Sequence, residues 1–265
     1  MTFTEPTRPT RTAQPTQPPQ PAQKPVNVPQ LMLPGQAAAP EGPVQAMPMY
    51  LMHHAFRRDL AAFSAAVPLT PLEDRATWRR LRHRWELFAH VLHKHHSGED
   101  AGLWPLLLER VDAAGDAEGR RTLEAMEAEH GDIDPTLRAC AQGFARLAEL
   151  PDADARAALA VRLVAAREGL GKHLEHEERD AMALVQRHMT QQDWDHMVEQ
   201  YFDKGVTPRE QVRTLPWAAH GLTAADAERV AAIAGRAVVV VWRLLLKRPF
   251  ERRERAAFRY LPRPA

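Results

Sequence analysis

The sequence predicts an all-α protein built around an up-down-up-down four-helix bundle. Apolar residues recur at three- and four-residue spacing through most of the chain after Met49. The Val, Ile and Thr alternation of a strand is scarce, and the links between periodic segments are short.

The first element in the chain is not a helix. Residues 1–47 carry about half of the 22 prolines, mixed with Thr, Gln and Ala. That composition buries too little apolar surface to offset its ordering entropy, so a disordered tail is expected. The bundle is expected over 48–205. Its first helix covers 49–67 and stops before Pro68. The second starts near Leu72, with Gly98 and Pro105 predicting a kink, because proline removes one backbone bond and crowds the preceding turn. The third covers 117–149 and is bent by Pro135. The fourth, 153–189, opens on the capping residue Asp152, and a shorter helix follows at 191–203.

Residues 206–265 form a helical extension. Thr223–Ile233 is alanine-rich, and an apolar run from Val238 to Leu246 then joins a segment with nine Lys or Arg against two Glu, counted from Arg236. Packing of the apolar run on the bundle is the favoured reading. A membrane-surface or partner-binding element is the alternative.

Composition excludes several classes. With 35 basic and 34 acidic residues the net charge is +1, which gives no pointer to nucleic acid. Cys140 stands alone, so neither an internal disulfide nor a thiolate cluster can form. The first residues lack the apolar core of a secretory signal. The best candidate span, Val230–Leu246, contains Arg236 and Arg243, so a cytoplasmic location is expected.

The chain has 13 histidines, seven of them between positions 53 and 96, and helix faces sort them. His53 shares the stripe of Phe56, Leu60 and Phe63, whereas His54 lies with Arg57 and Arg58. His95 and Glu99 continue the stripe of Trp85, Phe88 and Leu92. His83, His90, His93 and His96 fall off it and are expected in solvent. His130 follows Leu123 and Met126, and His173 and Glu177 follow Leu163, Ala166 and Leu170.

Each of the four helices therefore aims a histidine inward, and two add a glutamate one turn later, about 5–6 Å away at Cβ. Six buried polar groups in one core are costly unless something pairs them, and a metal does so economically. Imidazole with carboxylate suits a pair of iron ions, or manganese, held by His53, His95, Glu99, His130, His173 and Glu177. Glu127, three residues before His130, is a further candidate ligand. His176 with Asp180 is a weaker rival pair.

These motifs resemble the hemerythrin-like, HHE cation-binding family over about 49–205. The resemblance rests on His53-His54-Ala55-Phe56, on His95-x-x-x-Glu99-Asp100 running into Leu103-Trp104-Pro105, on Glu129-His130, and on His173-Leu-x-x-Glu177-Glu178. It implies a four-helix bundle around a non-heme di-iron centre with the same six residues as ligands. Oxygen carriers of the family have a His-x-x-x-His pair on the third helix, and Met126 stands at the earlier position here. The implied function is binding or sensing of dioxygen, nitric oxide or peroxide, or iron handling. An oxygen-activating or peroxide-removing enzyme is the second reading. A metal-free bundle docking through its basic tail is the third.

Overall fold

The computed structural model describes residues 27–235 and 241–262, and within them the chain is all-helical. The long helices are α1 (Met47–Leu69), α2 (Arg75–Gly98), α4 (Ala117–Glu149) and α5 (Ala153–His176). A wide π-turn, Glu99–Leu103, carries α2 into α3 (Trp104–Ala113). A second, Glu177–Ala181, carries α5 into α6 (Met182–His188). Then come α7 (Gln191–Met197) with the π-turn Val198–Asp203, α8 (Pro208–Ala218), α9 (Ala224–Ala234), the π-turn Trp242–Leu246 and α10 (Lys247–Ala257). Among the described residues the only β pairing is one isolated bridge between Val28 and Gly42.

Local chemistry sets the helix starts. Asp74, Asp116 and Asp152 each accept the backbone N–H three residues on, and Thr190 and Asp193 form a reciprocal capping box. Two expected boundaries shift. The first helix runs through Pro68 to Leu69, so the proline forfeits one backbone bond in the last turn without ending the helix before it. The expected kink between Gly98 and Pro105 is a π-turn, with Pro105 in the opening turn of α3, where its lost donor is tolerated. Pro135 lies inside an unbroken α4.

Helix α1 packs on α2 and α5, and α4 packs on α2 and α5, so the four long helices close a ring. One end of its core is aromatic. The Phe63 ring lies 5.2 Å from Trp85 and 5.3 Å from both Phe144 and Phe258. The other end is polar.

Two expectations about the chain ends need correction. Residues 1–26 lie outside the described residues, but residues 27–46 are packed rather than disordered. Leu31, Leu33, Val44 and Ala46 are buried. Gln186 exchanges two hydrogen bonds with the Val44 backbone, and the Ala37 N–H donates to Glu178 at 2.7 Å. A few apolar residues spaced among prolines fill slots on the helices, and glutamine side chains satisfy the backbone that proline cannot pair.

The C-terminal extension packs on the bundle as expected, but of the described part of the apolar run only Trp242 is buried, and the rest of the contact comes from residues outside the run. Trp217, Trp242, Phe250, Ala257 and Phe258 are buried, whereas Val241, Leu244 and Leu245 are 47%, 73% and 66% exposed. Val238, Val239 and Val240 fall outside the described residues. Burial follows the helix face that meets α2, so a run of consecutive apolar residues cannot all turn inward. No helix among the described residues is long and apolar enough to cross a membrane.

Candidate metal centre

The six sequence-predicted residues, His53, His95, Glu99, His130, His173 and Glu177, all lie buried at the polar end of the ring. They fall into two groups. His53, His95, Glu99 and Glu177 bring one donor atom each within 4.8 Å of one another, and so do His96, His130 and His173.

His96 corrects an expectation, because it is 4% exposed rather than in solvent. Its ring stacks on His130, centroids 3.9 Å apart. A signal for it exists in the sequence. Val91 and Leu92 are adjacent apolar residues, and a step of four from each reaches His95 and His96, so this stretch of α2 is buried across two stripes. His83, His90 and His93 are exposed as expected, and Glu127 is exposed and takes no part.

The two carboxylates span the groups. Glu99 places Oε1 3.0 Å from His95 Nε2 and Oε2 3.5 Å from His130 Nε2. Glu177 places Oε2 3.2 Å from His53 Nε2 and 3.8 Å from His173 Nε2. These are short distances, yet none of the four carboxylate oxygens has hydrogen-bond geometry to any protein donor, and all four are buried. An orphaned buried acceptor costs about 1–3 kcal/mol, so four of them are a substantial debt without a cation.

Outer carboxylates explain why the ring nitrogens cannot repay it. Glu178 Oε1 lies 2.9 Å from His53 Nδ1, Asp100 Oδ1 2.7 Å from His130 Nδ1, and Glu129 Oε2 2.8 Å from His173 Nδ1. A carboxylate only accepts, so each Nδ1 carries a proton, and the neutral form of each ring, the form that binds a cation, turns its Nε2 lone pair inward. There the lone pairs converge: His53 and His95 Nε2 are 3.2 Å apart, and so are His130 and His173 Nε2. This is the arrangement of metal-binding histidines, whose far N–H is fixed by a carboxylate. Asp100, Glu129 and Glu178 were not singled out by spacing, because each faces its histidine across helices.

The π-turns make the placement possible. Each begins at the inner glutamate, with the Trp104 N–H bonded to the Glu99 carbonyl and the Met182 N–H to that of Glu177. The widened backbone lets consecutive acids serve different histidines. Glu99 faces inward while Asp100 holds His130, and Glu177 faces inward while Glu178 holds His53. Arg57 donates both Nη groups to Glu178, at 2.6 and 2.9 Å. The turn Val198–Asp203 closes over this end. A Cβ on Gly98 would meet Phe202 at 2.8 Å, and one on Gly102 would meet Tyr201 at 2.5 Å.

The pocket's own electrostatics favour positive charge within it. Burial opposes charge on His53, but Glu177 and Glu178 outweigh it and push its pKa up to about 9, so a proton sits where a cation could. Burial, reinforced by Glu177, holds the Glu99 carboxyl well above the usual range. Glu177, although buried, is drawn down to about 2 by His53 beside it. Burial lowers His95, His96 and His130, helped by their neighbouring imidazoles. Tyr50 adds a buried hydroxyl with no partner, and burial followed by Glu178 and Glu177 raises its pKa.

An all-helical protein with an acceptor-rich pocket of imidazoles and carboxylates at one end of a helical ring is of the cation-binding class. Residues 49–185 match the model of the hemerythrin HHE cation-binding domain, and the chain belongs to that family. No curated protein and no solved structure matches it.

Proposed function

We propose that the chain is a di-iron protein of up-down-up-down bundle topology whose paired centre binds or senses a small ligand. The observation that carries this reading is the span of Glu99 and Glu177 between the two histidine groups, with all four oxygens unpartnered. His53 and His95 would serve one ion and His130 and His173 the other, with Glu99 and Glu177 shared. His96 would supply the imidazole that Met126 withholds on α4. The same donors suit manganese. The ring of helix contacts supports the topology.

When bound, the iron pair supplies redox-active Lewis-acid positions for dioxygen, nitric oxide or peroxide. The chain itself fixes three imidazoles through Asp100, Glu129 and Glu178. It excludes bulk water with Phe56, Trp104 and Phe202, whose rings lie 5.2–6.5 Å from His95 or His130.

The test is metal analysis of anaerobically prepared full-length protein, followed by absorption spectra with each of the three ligands. Two irons per chain and reversible spectral changes are expected. One iron or none would overturn the paired centre, and steady consumption of peroxide would replace the binder with an enzyme.

A further inference from the structure

A second site lies away from the metal pocket. α2, α8, the turn Trp242–Leu246 and α10 surround a cavity of about 430 Å³, within the roughly 300–1,000 Å³ common for small-molecule sites. Its lining divides by chemistry. Leu87, Pro216, Leu246, Phe250 and Ala257 are apolar, and four arginines, Arg80, Arg84, Arg213 and Arg253, face a single carboxylate, Glu254.

That carboxylate is already engaged. The Arg84 Nε donates to Glu254 at 2.7 Å and its Nη2 to Asp59 at 2.6 Å. The Arg84 side chain is only 7% exposed, and its Nη1 is buried with no hydrogen-bond partner. That nitrogen is beyond the reach of solvent, so it offers the cavity no open donor. Arg80, Arg213 and Arg253 are exposed. At the mouth, Val212 and Leu245 are 51% and 66% exposed, so the apolar lining runs out to the surface.

Exposed arginines around an apolar cavity that opens to the surface fit one chemistry. We propose that this cavity binds an anionic amphiphile, a long-chain carboxylate. Its headgroup meets the exposed Arg213 and Arg253 guanidinium groups, and its hydrocarbon tail lies inward along Leu87 and Leu246. The exposed arginines set the local potential that favours an anion over a neutral chain. The site is independent of the metal centre.

Calorimetric titration of the full chain with dodecanoate below its micellar concentration tests the proposal, with dodecanol and acetate as controls. One equivalent of dodecanoate is expected to bind, at least tenfold more tightly than either control. Arg84 braces Asp59 and Glu254, so it is left intact. Ala256→Trp, which fills the cavity, and the exposed pair Arg213→Gln with Arg253→Gln should each weaken binding at least tenfold. Should the tryptophan variant fail to fold, the arginine pair carries the test, its unchanged melting temperature and iron content reporting an intact fold. Equal binding of dodecanol, or dodecanoate binding unaffected in a folded variant, overturns the proposal. Adsorption to anionic vesicles without binding of the monomeric acid also overturns it, because the patch would then be a membrane surface. The Glu99→Gln protein should still bind dodecanoate, which separates this site from the metal reading.

Discussion

The molecule buries two polar clusters in neighbouring parts of one core, and they solve the problem of burial in opposite ways. Around Asp59, donors meet acceptors. Its Oδ1 accepts from Arg84 and Arg58, and its Oδ2 accepts from the Trp217 indole at 2.8 Å. This knot of charges ties the C-terminal extension to the bundle, and Glu254 on α10 completes it. At the other cluster, around Glu99 and Glu177, acceptors meet acceptors. Burial alone therefore does not mark a metal site; an excess of inward lone pairs does.

The largest expected effect breaks the comparison from the charge-paired side. Asp59→Asn leaves Arg84 and Arg58 short of a counter-charge in a buried site, which costs about 3–5 kcal/mol. The melting temperature should fall on the order of 10 °C, with iron content per folded chain little changed.

Glu99→Gln probes the other side. Burial and Glu177 already disfavour the charged form of its carboxyl, so replacing it with an amide should hardly move the metal-free melting temperature. Iron content should drop by more than half, since a shared ligand is lost. A fall in metal-free stability as large as that of Asp59→Asn would erase the distinction between the clusters.

The register of α1 and α2 sharpens the boundary of the acceptor cluster. His53→Ala, His95→Ala and His96→Ala should each lower iron occupancy. His54→Ala should leave it nearly intact, because His54 sits half-buried outside the pocket near the Pro34 carbonyl. Full occupancy in His96→Ala would limit the ligands to the six residues read from the sequence.

Deleting residues 1–45 should have a smaller effect. It removes the buried Leu31, Leu33 and Val44 and the Ala37 N–H on Glu178, so thermal unfolding should shift down by several degrees. An unchanged melting temperature would return the whole segment to the disordered tail that its composition suggests.

The smallest effect concerns pH. Asp59 is buried, but Arg84 and Arg58 hold its carboxyl below the usual range. A depressed folded-state pKa stabilises fully above the unfolded value of about 4 and is lost as pH falls through the folded value. The melting-temperature advantage over Asp59→Asn should therefore persist at neutral pH and shrink only below about pH 4.

The sequence by itself determined the helices and six inward-facing residues. Helical period is a local property, and His53, His95, Glu99, His130, His173 and Glu177 continue stripes that Phe56, Trp85, Leu123 and Leu163 begin. Local chemistry also announced caps such as Asp152. The period could not say how wide an arc of each helix its neighbours cover, and that width buries His96. Nor could it reveal pairs made across helices: Asp100 with His130, Glu129 with His173, Glu178 with His53, and Asp59 with Trp217. Those depend on which helices meet and on two π-turns that let consecutive acids face different partners. Composition averaged over 47 residues concealed the buried Leu31, Leu33, Val44 and Ala46, and an apolar run ending at Leu246 overstated what one helix face can bury. The tertiary structure decided these because burial and partner choice belong to the space between elements, where sequence separation carries no information.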